Sequence, residues 1–327
     1  MSSAALILRS RRLLPAASAN WTPLSTALIL AALIATDLAL QPALLDVFQI
    51  GLEVETALTL VLLGLAQTLV VLVRGIDLSV GGIMVVSNAL AATWVGGAGG
   101  THQWLLLVVL GFGCAMGALN GTLVAFLDFQ PFVATLATWT IFNGIALWIL
   151  PTDGGAAPPA LTRVVNASIG SVPASFVILA GLLIFWWYLR GTRFGHAIYA
   201  IGSDEDRAQL NGVDVRAVKL AVYSIAGLAS AAAGVYLAGT TSTGTPTAGD
   251  GYILQSVAAV VIGGTSLLGG AGGFGLTVMA TFVLTIIADV VAALNLSVWV
   301  SVAASAGLLL VVVGARSYFE ARWRPET

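Results

Sequence analysis

Charge is what this sequence is shortest of. Asp, Glu, Lys and Arg make up 9% of its 327 residues, against roughly 25% in an ordinary soluble domain, so the chain cannot coat itself with a water-facing surface. With 58% hydrophobic residues it has to be solvated by lipid. Lysine is rarest, with Lys219 the only one, and 13 basic against 15 acidic residues give a net charge of −2. No basic patch is left for nucleic acid, which excludes DNA or RNA as a partner. Cysteine occurs once, as Cys114 in an apolar run. That rules out an internal disulfide and a multi-cysteine metal site, and Cys114 reads as a small buried hydrophobe. Signatures of catalysis are missing too: there is no His-Glu-x-x-His pattern and no Gly-x-Ser-x-Gly elbow. The chain is read as a non-catalytic membrane protein that itself binds no metal or cofactor.

What the sequence does have is a recurrence of apolar runs of about 20 residues, each long enough to cross a bilayer. They predict helices near 24–45, 52–73, 78–97, 104–126, 131–150, 173–190, 216–239, 252–268, 274–294 and 297–314. The fold class is therefore all-α, a polytopic transmembrane bundle of about ten helices. The third and eighth runs are rich in glycine, serine and threonine, and either reads equally as a broken or re-entrant segment, which would lower the count to eight or nine. Arg9, Arg11 and Arg12 ahead of an apolar stretch imitate a secretory signal. The small residues Ala16 to Ala19 precede that stretch instead of following it, and the run from Leu24 to Leu45 is too long for a signal core, so it is read as a retained first helix.

The basic residues orient this map. With the N-terminus inside, Arg9, Arg11, Arg12, Arg74, Arg190, Arg193, Arg207, Arg216, Lys219, Arg316, Arg322 and Arg324 fall on the cytoplasmic side and only Arg163 falls outside, as the positive-inside rule requires. Both termini are then cytoplasmic. His102 and His196 fall on opposite sides. The expected organisation is a cytoplasmic tail 1–23, a single transmembrane domain 24–314 with a cytoplasmic loop 190–216, and a cytoplasmic tail 315–327. The segment 151–173 reads as an irregular external loop, since it carries prolines and glycines with little helical pattern.

The cytoplasmic loop holds more information. Ser203-Asp204-Glu205-Asp206 has a capping-box pattern with Ser203 as N-cap, and its acids sit where the helix dipole favours negative charge. A helix of about two turns follows through Arg207, Gln209 and Leu210 and stops at Asn211-Gly212. Asp214 is placed to cap the next membrane helix, with Val213 and Val218 as a hydrophobic staple. So short a helix is marginal in water alone. It suits contact with a peripheral motor, and it reads equally as a surface turn.

Two glycine-rich stretches punctuate the bundle. In the first, Arg74 to Gly82, Asp77 is placed to cap the third helix and Arg74 to neutralise it. Its two readings are a capped turn with close packing, or a discontinuous helix that presents Asp77 and Ser79 to a central pathway. The second, Gly263 to Gly273, lacks the Gly-Lys-Ser/Thr ending of a phosphate loop and binds no ATP. It reads as a sharp inner turn. Gln67, Asn88, Asn120, Asn143 and Asp289 fall at membrane depth and should face the bundle interior. The amides suit interhelical hydrogen bonds, whereas Asp289 is a pathway candidate or half of a structural pair whose partner is not evident.

Three blocks carry a resemblance. Gly75-Ile76-Asp77-Leu78-Ser79-Val80-Gly81-Gly82 is one, Thr192 to Gly202 leading into Leu210-Asn211-Gly212-Val213 is the second, and Pro246 to Tyr252 with Gly263 to Gly270 is the third. Together with the hydropathy over residues 50 to 315, they resemble the permease subunits of ribose-type ABC sugar importers, related to those for xylose, galactofuranose and autoinducer-2. The resemblance implies a fold similar to type II ABC importer permeases in the bacterial inner membrane, and import of a monosaccharide by alternating access. It also implies a second permease copy or paralogue, a cytoplasmic ATPase that binds ATP and Mg, and a periplasmic sugar-binding protein. Residues 203–212 then form the helix that couples to the ATPase. Two departures stand out: Arg74 where relatives often have glycine, and the acidity of residues 203–206. A self-sufficient facilitator or secondary transporter, and an ABC permease for a nucleoside or a branched-chain amino acid, are the alternative functions.

Overall fold

The computed structural model describes residues 16–42, 46–96, 102–170 and 172–322. Arg9, Arg11, Arg12 and Arg324, and most of the expected N-terminal tail, lie outside the described residues. The chain is all-α apart from one two-stranded hairpin among those residues.

The membrane helices are α1 (Ala16–Leu40), α2 (Val47–Leu72), α3 (Ser79–Leu90), α4 (Leu105–Ala125) and α5 (Pro131–Ile149), followed later by α7 (Ala174–Gly191), α10 (Val215–Thr241), α11 (Gly249–Ile262), α12 (Phe274–Ala293) and α13 (Val298–Arg322). All ten expected runs are helical. Six of these helices meet the length and hydropathy needed to cross a bilayer, while α1, α3, α11 and α13 supply shorter apolar segments. Both weak runs show why they looked irregular. A π-turn over Ala91–Val95 prolongs α3. At 14 residues, α11 rises only about 21 Å, short of a hydrocarbon core of roughly 30 Å. It ends at Ile262, not near 268, because Gly264, Gly269 and Gly270 adopt positive φ and turn the chain.

Burial follows composition. From Ala57 onward α2 is enclosed on all sides, as is the whole of α3, and both stretches are predominantly apolar, as enclosed helices must be. The outer helices α4, α5, α7 and α13 leave Leu107, Trp148, Trp187 and Trp299 exposed, the surface a lipid solvent accepts. One close crossing joins α4 to α10. A side chain at Gly227 would stand 2.8 Å from the Gly117 Cα, so only glycines let these backbones approach so closely.

Two connections carry more structure than the sequence suggested. Between α5 and α7, Pro158 and Pro159 start a short helix, α6 (Pro159–Val165). A hairpin of β1 (Ser168–Ile169) and β2 (Val172–Pro173) follows, in antiparallel register Ser168↔Pro173, so this loop is not irregular. Between α7 and α10 lie α8 (Arg193–Ser203) and α9 (Glu205–Leu210). α8 was missed because Gly195 and Gly202 obscure its pattern, yet it is amphipathic: Ile198 and Ile201 are buried, and Thr192 caps it by accepting from the Gly195 amide at 3.1 Å.

Candidate functional site

The first glycine-rich stretch builds a buried polar network. α2 ends in a turn closed by the Gly75 amide on the Val70 carbonyl at 3.0 Å, and the chain then crosses to the start of α3. Asp77 is fully buried there. Its Oδ1 accepts from the Ser79 amide at 2.8 Å and from the Ser79 hydroxyl at 2.6 Å. Ser79 Oγ in turn accepts from Asn120 Nδ2 at 2.6 Å, which brings α4 into the same network. From α5, Thr135 Oγ1 accepts from the Leu78 amide at 3.1 Å and donates to the Ile76 carbonyl at 3.2 Å, holding the loop on its other side.

Three polar atoms of this cluster find no hydrogen-bond partner among the described residues: Asp77 Oδ2, Asn120 Oδ1 and the Tyr223 hydroxyl. Tyr223, on α10, is 1% exposed. Its oxygen would stand 2.6 Å from a side chain added at Gly75, and it lies within electrostatic reach of Asp77. Leaving such groups unsatisfied costs about 1–3 kcal/mol each, so each calls for a partner such as a water or a ligand. Tyr223 escaped sequence reasoning because a tyrosine in an apolar run looks like core.

Arg74 does not neutralise Asp77. Its backbone sits at φ 67, and the guanidinium turns away to donate to the Gly202 and Ser203 carbonyls, each at 2.9 Å. Those oxygens end α8, where the helix dipole is negative and a cation is well placed.

The other expected pathway residues are scattered. Gln67, on α2, is fully buried, and neither of its amide atoms has a hydrogen-bond partner among the described residues. Asn88 is a structural amide, donating to the Gly234 carbonyl at 3.1 Å and accepting from the Thr245 amide at 2.7 Å. Asn143 is half-buried on α5. Asp289 has neighbours that the sequence did not suggest, since Glu53 of α2 and Asp37 of α1 both lie within electrostatic reach, and its Oδ2 finds no hydrogen-bond partner among the described residues. These three acids come together at the far end of α12 from the Asp77 loop.

The segment 203–212 holds the expected short helix with one shift. Ser203 is the last residue of α8 and caps nothing; Asp204 ends α8 and caps α9, its Oδ1 accepting from the Arg207 amide at 3.0 Å. The cap therefore falls one residue later, because Ser203 is still held in the α8 ladder. α9 stops as expected at Asn211, whose Nδ2 donates to the Arg207 carbonyl at 2.7 Å, with Gly212 at φ 84. Asp214 caps α10 through the Ala217 amide at 3.0 Å. Ala208 faces inward, while Asp206, Arg207, Gln209 and Leu210 face out, Leu210 being 87% exposed. Glu205 pairs with Lys219 of α10 at 2.7 Å. The Arg207–Asp204 pair is surface-exposed and contributes little.

Residues 54–313 match the family described as branched-chain amino acid transport system / permease component, and the chain belongs to that family. It is 34% identical over 268 residues to the ribose import permease protein of Haemophilus influenzae, covering 79% of this chain and 81% of that one. To the ribose import permease protein of Bacillus subtilis it is 40% identical over 220 residues, 64% of this chain and 66% of that one. To the D-allose transport system permease protein of Escherichia coli it is 31% identical over 303 residues, 90% and 91% of the two. No solved structure matches the chain. It is thus a multi-pass membrane permease component of an ABC transporter, a transport subunit and not an enzyme.

Proposed function

We propose that this chain forms the translocation pathway of an ATP-driven importer for a monosaccharide in the bacterial inner membrane, with both termini cytoplasmic. The relatives named above are import permeases for ribose and a transport permease for D-allose, which favours a sugar over the branched-chain amino acid in the family's description. The partners are a second permease, identical or paralogous, a cytoplasmic ATPase that binds ATP and Mg, and a periplasmic sugar-binding protein. Orientation rests on the basic residues, of which Arg74, Arg190, Arg193, Arg207, Arg216 and Lys219 lie on or next to α8 and α9.

The observation that carries the reading is α9 itself. It is a six-residue helix capped by Asp204 and followed by the capped start of α10, so it is held as a rigid post with an outward surface of Asp206, Arg207, Gln209 and Leu210. Two turns of helix are not stable alone in water, and a rigid, exposed one is suited to receive force. In this reading ATP-driven closure of the motor displaces α9, and the permease pair alternates between outward and inward openings. Asp77, Ser79, Asn120 and Gln67 line the pathway; their free acceptors, with the Tyr223 hydroxyl, match the hydroxyl groups of a sugar. Asn88 belongs to the scaffold.

The test is uptake by the complex purified from native membranes and reconstituted with ATP inside the vesicles. Ala208→Pro breaks α9 and should abolish ATP-coupled uptake while leaving membrane insertion intact, since a proline in a helix interior costs about 3 kcal/mol. Normal uptake in that variant, or a chain that purifies without an ATPase yet moves sugar, would make a facilitator the correct reading.

A further inference from the structure

The short helix α9 is tied to the membrane bundle at two points, and both ties lead to elements that surround Asp77. At the first, Arg74 holds the Gly202 and Ser203 carbonyls at 2.9 Å each, immediately before the Asp204 cap. Arg74 adopts φ 67 to do so, a conformation costly to any residue with a Cβ. The strain is sustained by the planar guanidinium, which satisfies two helix-end carbonyls at once. Three residues further on is Asp77.

At the second tie, Lys219 Nζ donates to both Glu205 carboxylate oxygens, at 2.7 and 2.8 Å. The lysine side chain is 16% exposed and the glutamate 39%, so the pair is partly shielded from screening. Lys219 lies one helical turn before Tyr223 and on the same face of α10. The two ties form walls of a single cavity of about 280 Å³, lined by Arg74, Gly75, Glu205, Lys219 and Tyr223 among others.

We infer that Arg74 and Lys219 are the positioning residues that transmit motion from α9 to the buried network. Displacement of α9 pulls the 74–79 loop through Arg74 and the Tyr223 face of α10 through Lys219. Both sides of the Asp77–Ser79–Asn120 cluster then move together. A single tie would tilt one wall and leave the other in place. The inference rests on α9 being the docking helix, and it adds that docking and transmission use different residues. Coupling through contiguous hydrogen-bonded groups is the physical basis.

The experiment uses the complete complex in proteoliposomes, with ribose and allose as the probes, and measures co-purifying ATPase, ATP hydrolysis and sugar moved per ATP. Arg74→Gly is a clean deletion, because glycine accepts φ 67 without strain. In Arg74→Gly and in Lys219→Gln the ATPase should co-purify in unchanged amount and keep hydrolysing ATP, while sugar moved per ATP falls roughly 5-fold or more. Charge reversal should be mutually corrective: Glu205→Lys and Lys219→Glu each uncouple, and combined they recover most of the loss. Unchanged sugar per ATP in both deletions would overturn the inference. So would loss of the ATPase from either variant, which would place the ties in docking, or failure of the combined reversal to recover. Ala208→Pro separates the two levels. If it transports normally, the docking reading falls; if it fails while Arg74→Gly and Lys219→Gln transport normally, only the transmission inference falls.

Discussion

The two glycine-rich stretches do opposite things. Around Gly75 the backbone passes close to Tyr223 and delivers a carboxylate and a hydroxyl into a buried polar cluster that the Asn120 amide of α4 completes. Around Gly269 and Gly270 the chain makes a turn that closes on itself, with the Ser266 amide on the Ala271 carbonyl at 2.9 Å and the Gly269 amide on the Ser266 carbonyl at 2.9 Å. It then pushes Leu268 outward, 82% exposed. The stretches also touch, for the Gly270 amide donates to the Leu72 carbonyl at 3.1 Å. Glycine in either place grants close approach; the polar side chains brought near by that approach make one stretch a candidate site and leave the other a brace.

Four substitutions sharpen this contrast, from the largest effect on stability to the smallest. Gly270→Val combines a left-handed backbone at φ 69 with a Cβ 2.6 Å from the Ser203 nitrogen. It should cost about 3 kcal/mol, seen as a lowered melting temperature in detergent; an unchanged melting temperature would show that this turn is not braced against α8. Asp77→Ala removes the acceptor of both Ser79 donors and should cost about 1–3 kcal/mol. Asp77→Asn keeps one acceptor oxygen, so most of that stability should return while uptake stays roughly 10-fold down, a transition-energy difference near 1.4 kcal/mol. Normal uptake in Asp77→Asn would reduce the first stretch to a second brace. Leu268→Ser should change stability by no more than about 0.5 kcal/mol, because the side chain touches little. A larger drop in melting temperature of the isolated chain would mean that the exposed turn is part of the fold's support.

Much of the architecture was legible because lipid imposes a simple grammar. A chain that crosses the hydrocarbon core must satisfy its backbone internally, so each apolar run had to be a helix. Caps were legible for a similar reason, being local: Asp214 and Asn211-Gly212 act where the sequence put them. The misplaced cap at Ser203 shows the limit of that rule. Ser203 has the right side chain and the right spacing, but α8, hidden by its two glycines, extends through it and passes the role to Asp204. The candidate site was half legible. Asp77, Ser79 and Asn120 stood out as polar residues in apolar runs, as did Asn88, and nothing in the runs distinguished a pathway amide from a structural one.

The sequence by itself determined the solvent, the all-α class and the segmentation, since these follow from composition and from spacings shorter than one helix. Only the tertiary structure decided which polar groups meet. Asn120 reaches Ser79 across 41 residues, Arg74 reaches Gly202 across 128, and Asp289 lies beside Glu53 instead of a cation. In a medium without water a buried polar group takes whatever partner helix packing brings near. Packing of these helices is set by where glycines allow two backbones to touch, a property of pairs of helices and not of any one run.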